Sequence, residues 1–310
     1  MPHSFVKDIM PGIIFKRPEI SELKNELYFK NNVRIYLLRL DEIHPVISGN
    51  KLFKLYYFLE ETKKNPGKKI ITCGGAWSNH LAATAFACKE MKIRSIVIVR
   101  GEKPEILSST LLFCNQQGME LEYISRDQYR KIIEPEFLHG LKKKYGDSII
   151  IPEGGFSKKG KEGASLITKL FGDKKFSHVC MPVGTATTFA GIIEGNEREC
   201  ETIGFSVLKN ITDIDARLRQ LKIVRDKKYK FIGDYHFGGY AKKTDELIFF
   251  MNTFYNRHKI PLDFVYTAKM MFGVNDLVGK KYFPEGAEIL CIHTGGLQGN
   301  HSLPEGTLVY

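Results

Sequence analysis

The chain has 310 residues, 43% of them hydrophobic, enough to fill one large core or two ordinary ones, and its formal net charge is +11. No apolar run reaches the ~18–20 residues of a membrane helix, and the opening MPHSFVKDIMPGIIFKRPEI lacks the order of a secretion signal, so a cytoplasmic protein with no membrane partner is expected. The basic residues fall in short groups (KKNPGKK, LKKKYG, GDKKF, RDKKYK) interleaved with Glu and Asp, the pattern of a solvated surface, and without a basic-and-aromatic module no specific nucleic-acid partner is expected.

The six cysteines, Cys73, Cys88, Cys114, Cys180, Cys200 and Cys291, form no C-x-x-C pair and no spacing with His that suits zinc. Reduced thiols and no metal are expected.

From about residue 69 short apolar runs alternate with longer amphipathic ones, the rhythm of an α/β protein. KIITCGG predicts a buried strand ending in glycines, SNHLAATAFACKEMK a helix begun by Ser78 or Asn79, and RSIVIVRG the next strand. SSTLLFCNQQG reads as a helix closed by Gly118, ELEYIS as a strand, and QYRKIIEPEFLHGLKKKYG as one helix despite Pro135. SIIIPEGG is then a strand and KEGASLITKLFG a helix. A second cycle runs SHVCMPVG, TATTFAGIIEG, ETIGFSV, and the last third holds helices at KTDELIFFMNTFYNRHK and AKMMFGVNDLVGKKYF before the strand AEILCIHTGG. Two open, twisted, largely parallel sheets flanked by helices accommodate this order, with a domain boundary expected near residues 50 and 158.

Three strands end in glycine turns, CGGAWSNH, MPVGTATT and HTGG. Ligands of open parallel sheets sit beyond the carboxyl ends of the strands, so these turns are expected to line one cleft. PVGTATTFAG offers small residues, three threonine hydroxyls and a helix start, which suits either a phosphate cradle or a plain helix cap. The common nucleotide loops do not fit: there is no G-x-G-x-x-G, and GFSKKGKE places Glu162 where a P-loop needs Ser or Thr. In VISGNKLFKLYYFLEE, Lys51 follows a flexible turn and Lys54 shares its helix face one turn on. A lysine with a lowered pKa can form a Schiff base; most lysines at a helix start are surface residues.

Taken together, Asn50-Lys51, the Ser78-Asn79-His80 turn, the glycine-threonine loop and the final HTGG stand in the order and spacing of pyridoxal-phosphate enzymes of fold type II, like the tryptophan synthase β-subunit. More closely, the sequence resembles the 1-aminocyclopropane-1-carboxylate deaminase and D-cysteine desulfhydrase family, through SGNKLFKLYYFL, AWSNHLAATA, IPEGG, VYTAKMM and PEGAEILCIHTGG. The resemblance implies a pyridoxal 5'-phosphate cofactor held between a large domain, residues 1–50 and 158–310, and a small one, residues 51–157. It implies Lys51 as the Schiff-base lysine and base, Asn50 in the turn that approaches the cofactor, Asn79 on its phenolic oxygen, and Gly184, Thr185, Ala186, Thr187 and Thr188 around its phosphate. Lys54 would be a second phosphate contact or a solvated helix lysine. Ser78 would meet the substrate carboxylate or assist proton transfer and, with Asn79, His80 and Trp77, would face a small amino-acid substrate, while Tyr240 and Tyr266 would be catalytic residues near it or merely pack. The family also implies a homodimer.

The sequence departs from the family pattern at three places: Ser48 replaces a glycine, Phe53 a basic residue and Trp77 a glutamine. Trp77 either narrows the substrate pocket or packs in the core. Where the deaminases carry Tyr-Glu, this chain has Tyr266-Thr267, as the desulfhydrases do. A carboxylate there keeps the pyridine nitrogen protonated, whereas a hydroxyl makes a milder electron sink suited to β-elimination; Thr294 is a further candidate for that nitrogen. The expectation is a lyase that eliminates a β-substituent from a D-amino acid, with pyruvate, ammonia and, from cysteine, sulfide as products. The alternatives are 1-aminocyclopropane-1-carboxylate deamination and a non-catalytic binding protein, against which Thr267 and the intact Lys51, Ser78 and Asn79 respectively argue.

Overall fold

The computed structural model describes residue 10 and residues 12–196, 200–223 and 228–310. Residues 1–9 and 11 of the stretch read for a secretion signal, and the RDK of the basic group RDKKYK, lie outside the described residues. Along the chain run β1 (Ile20–Leu23), α1 (Glu26–Lys30), β2 (Arg34–Arg39), α2 (Asn50–Lys64), β3 (Lys69–Gly74), α3 (Asn79–Glu90), β4 (Ser95–Arg100), α4 (Ser109–Gln116), β5 (Glu120–Ile124), α5 (Arg126–Arg130) and α6 (Pro135–Tyr145). There follow β6 (Ser148–Ile151), α7 (Lys158–Ser165), β7 (His178–Val183), α8 (Thr187–Gly195), β8 (Glu201–Ser206), α9 (Ile214–Gln220), β9 (Tyr229–Ile232), α10 (Asp245–His258), α11 (Thr267–Gly279) and β10 (Glu288–His293).

Six strands form one sheet in the order β1-β2-β10-β7-β8-β9, and four form another in the order β5-β4-β3-β6. All neighbours are parallel except β1 against β2. Strands covered on both faces cannot alternate polar with apolar residues, and β3, β7 and β10 accordingly read as nearly unbroken apolar runs. The largest core lies between the two sheets and joins α2 and α3 to α8, while a second core backs the large sheet with α10 and α11.

Helix starts follow side-chain chemistry. Asn25, Ser108, Ser157 and Thr244 each accept a backbone N–H of the first turn, and Ser125 with Gln128 forms a reciprocal capping box. α7 is wedged between α2 and α8 through glycines: a Cβ on Gly163 would stand 2.0 Å from the Phe53 carbonyl oxygen, and one on Gly191 2.6 Å from that of Lys161. The helix that carries Lys51 is thereby fixed against the helix that follows the glycine-threonine loop.

Three expected elements are corrected. The single helix over QYRKIIEPEFLHGLKKKYG is two, α5 and α6, because Pro135 bars a helical residue before it and serves instead as the first residue of α6. The helix expected at KEGASLITKLFG begins earlier, at Lys158, and tightens into a 3-10 segment over Leu166–Leu170. α11 stops at Gly279 rather than running to Phe283. The short elements β1, α1, α9 and β9 carry too few apolar positions to declare a period.

Candidate active site

The SGNK turn is clasped to the HTGG turn. Gly49, with φ 66° and ψ −148°, precedes α2, and a Cβ there would lie 1.9 Å from the Thr294 carbonyl oxygen, so only glycine allows the approach. The same carbonyl accepts from the Asn50 backbone N–H at 3.2 Å and from Lys51 Nζ at 3.1 Å. Beneath it, fully buried His293 accepts the Gly295 N–H on Nδ1 at 3.2 Å, which leaves Nε2 to donate to the Pro261 carbonyl at 2.8 Å.

Both lysines are buried, so the reading of Lys54 as a solvated lysine is corrected. Burial pushes the Lys51 ammonium down to about 8 against the opposing pull of Asp263. Burial and then the charge of Lys51 push Lys54 down to about 7. Two amines at one helix start, deprived of water, are poised to bond an electrophilic carbon or to hold an anion.

The turn after β3 faces them. Ser78 is the N-cap of α3, but its hydroxyl does not cap the helix. Asn79 Nδ2 donates to the Gly296 carbonyl at 3.3 Å, which ties the small sheet to the HTGG turn. His80 is buried with Nε2 3.0 Å from Thr72 Oγ1; burial, then Lys54 and Lys51, push its pKa down to about 3, so it is neutral. Trp77, on the same turn, is 47% exposed, which removes the core-packing reading.

The glycine-threonine loop forms the third wall. Ala186 adopts φ 70°, and α8 starts at Thr187. Thr185 and Thr187 hydroxyls are 3.0 Å apart, Asn50 Nδ2 donates to Thr188 Oγ1 at 2.8 Å, and Gly184 lies against Tyr266. Tyr266 stacks edge-on with half-exposed Tyr240 at 6.0 Å, and Lys51 Nζ is 5.6 Å from the Tyr266 ring centre.

Asp263 and Lys269 escaped the sequence reading. Fully buried Asp263 accepts the Tyr266 N–H at 2.7 Å and the Thr267 N–H at 2.9 Å, starting α11. An Asp three residues before the Tyr-Thr pair, at a helix start, was the available signal. Buried Lys269 donates to the carbonyls of His236 at 2.9 Å and Gly239 at 2.7 Å, holding the loop that leads to Tyr240. No local pattern announces that bond, because its partners are backbone atoms of a distant loop.

The polar atoms left over indicate what the cleft accepts. Asn50 Oδ1, Asn79 Oδ1, His80 Nδ1 and Thr267 Oγ1 are buried without a hydrogen-bond partner, a costly condition unless a ligand supplies one. A Cβ on Gly296 would fall 3.0 Å from Asn79 Nδ2 and 3.7 Å from both Lys51 Nζ and the Asp263 carboxyl carbon, so this glycine keeps open a space between the three. An aromatic aldehyde with a ring nitrogen, a phenolic oxygen and a phosphate fits this set. Lys51 could meet the aldehyde, Asn79 the phenolic side, Thr267 the nitrogen, and residues 184–188 with Lys54 the phosphate. Beyond the loop, Glu153 and Thr185 also line a largely apolar cavity of about 440 Å³ with Ile71, Ile98 and Ile132. Among the described residues no helix is long and apolar enough to cross a membrane, and all six cysteines are buried and free.

Comparison with known proteins points the same way. Residues 24–295 match the family described as pyridoxal-phosphate dependent enzyme. A Pyrococcus horikoshii protein with the provisional name 1-aminocyclopropane-1-carboxylate deaminase is 30% identical, over 92% of this chain and 93% of its own. The bifunctional D-cysteine desulfhydrase/1-aminocyclopropane-1-carboxylate deaminase, mitochondrial, of Arabidopsis thaliana is 28% identical over 87% of this chain and 74% of its own. A solved structure described as an ACC deaminase homologue superposes with a TM-score of 0.78 at 26% identity, covering 96% of each chain.

Proposed function

Because the chain belongs to the family of pyridoxal-phosphate dependent enzymes, and within it to the deaminase and desulfhydrase group, we propose that it is a lyase that expels a β-substituent from a small D-amino acid, as a D-cysteine desulfhydrase does. Pyruvate, ammonia and, from cysteine, sulfide are the products. The observation that carries this reading over ring-opening deamination is Thr267, whose hydroxyl is fully buried and unpaired. The nearest carboxylate along the chain, Asp263, is committed to two backbone N–H groups.

Pyridoxal phosphate, when bound, supplies a conjugated ring that takes up the electron pair released at Cα. Lys51, its amine pKa lowered to about 8 by burial, would hold the cofactor's aldehyde carbon and would serve as the base for the Cα proton. Ser78 and Asn79 offer a hydroxyl and an amide to the substrate carboxylate, while neutral His80 takes no proton at working pH. Lys54, Asn50 and residues 184–188 would hold the phosphate. Tyr266 stands beside Lys51 and edge-on to Tyr240; burial, then Tyr240, raises the Tyr266 phenol well above its usual range, so it stays protonated. We assign residues 1–50 and 158–310 to the cofactor domain and residues 51–157 to the small domain, and propose a homodimer on the strength of the family resemblance and a cytoplasmic location from the sequence reading above.

The names of the relatives favour a second reading, deamination of 1-aminocyclopropane-1-carboxylate to 2-oxobutanoate. Steady-state rates on both substrate types separate the two. The proposed lyase releases pyruvate from D-cysteine or β-chloro-D-alanine and little 2-oxobutanoate from the cyclopropane acid, and Thr267→Glu shifts the balance toward ring opening. Preference of the unmutated protein for the cyclopropane acid replaces the first reading by the second.

A further inference from the structure

The substrate side of the cleft carries two charges that the reaction so far leaves unused. β4 ends at Arg100 and β6 leads to Glu153, and these strands flank β3. Arg100 Nη1 and Glu153 Oε1 stand 3.8 Å apart across the end of β3, with side chains 44% and 42% exposed. A half-exposed pair at that distance adds little stability, so it opens cheaply to a ligand. A Cβ on Gly75 would lie 3.0 Å from Arg100 Nη2, which sets the guanidinium on the turn closed by the Ser78 N–H on the Gly75 carbonyl at 3.0 Å. On the other flank Gly154, next to Glu153, packs on Thr185, with 2.8 Å from its would-be Cβ to the methyl. The two charges therefore stand between the turn offered to the substrate carboxylate and the loop offered to the phosphate. Both also reach Tyr240: after burial, which raises its phenol, Glu153 raises it further and Arg100 lowers it. Glu153 and Thr185 also line the largely apolar cavity of about 440 Å³.

One charge at a cleft mouth selects a substrate of opposite sign. Two opposite charges side by side match a group that carries both, and the commonest such group is the ammonium and carboxylate of an amino acid. Arg100 can take a carboxylate on its planar fork, and Glu153 can take an ammonium. We propose that Arg100 and Glu153 receive the distal amino-acid head of a thioether-linked diamino diacid, so that the group expelled from Cβ is itself an amino-acid thiol. This inference rests on the β-elimination reading above. For meso-lanthionine, which has one centre of each hand, the Cα–H and Cβ–S bonds break. The proton passes to Lys51, the Cα–H electron pair becomes the Cα=Cβ bond, and the C–S pair leaves on sulfur and is protonated. One water then releases ammonia, so lanthionine and water yield cysteine, pyruvate and ammonia.

The test compares kcat/KM of the holoenzyme for meso-lanthionine, S-methyl-D-cysteine and β-chloro-D-alanine. Lanthionine is expected to exceed S-methyl-D-cysteine, a thioether without the distal head, by at least about tenfold, the worth of one charge-assisted hydrogen bond. Arg100→Met and, independently, Glu153→Gln should each lower the lanthionine to β-chloro-D-alanine ratio by about tenfold or more, mostly through KM. Equal rates on the two thioethers, or variants that leave this ratio unchanged, overturn the proposal while β-elimination stands. Absence of pyruvate from all three substrates overturns the elimination reading and this inference with it.

Discussion

The two walls of the cleft are built differently. On the large-sheet side, Gly49, Thr294 and Lys51 are joined by backbone contacts, with a would-be Cβ 1.9 Å from a carbonyl oxygen and a buried lysine bonded to that same carbonyl. On the small-sheet side, Trp77 is 47% exposed and Arg100 and Glu153 are 3.8 Å apart and half in water. The first wall tolerates no added atom; the second can rearrange around its ligand at little cost. A site that must hold one cofactor yet admit and release substrates would be served by that division, were the rigid wall to take the cofactor and the soft wall the substrate, as proposed above.

Substitution sharpens the contrast. Gly49→Ala places a methyl inside the Thr294 carbonyl in a left-handed backbone position, and should cost more than about 3 kcal/mol or prevent folding. Trp77→Ala removes a half-exposed ring and should cost less than about 1 kcal/mol, while raising KM for the amino-acid substrate. Denaturant melts of both variants measure the difference; equal losses of stability would show that the two walls are alike.

A smaller effect comes from pH. The Lys51 pKa is lowered from 10.5 to about 8, so its neutral form prevails above about 8 and its protonated form below. A base must be neutral to accept the Cα proton, so kcat should fall about tenfold per unit as pH drops below 8 and level off above. His80, near 3, should leave no inflection between pH 5 and 8. A profile flat down to pH 6 would place the base elsewhere.

Much of this was legible in the sequence because its signals are local. Apolar runs ending in glycine turns gave the α/β order and the parallel strands, and the motifs around Lys51, Asn79 and Thr267 gave the family. Residues that act through distant backbone were not legible. Asp263 works through the N–H groups of Tyr266 and Thr267, Lys269 through the carbonyls of a loop some 30 positions away, and Arg100 meets Glu153 only because β4 and β6 flank β3. The merging of α5 and α6 into one helix had a different source: the apolar period continues across Lys131–Glu134, and Pro135 alone signals the break. Lys54 could not be separated from a surface lysine by sequence, since its burial comes from the packing of α7 on α2, fixed by Gly163 against the Phe53 carbonyl.

The central claim is that Lys51, of two buried lysines one turn apart, is the one that bonds the cofactor. Borohydride reduction of the holoprotein followed by peptide mapping tests it directly. The account predicts a single pyridoxyl label on Lys51, with Lys54 unmodified; label on Lys54, or on no lysine of α2, would contradict it.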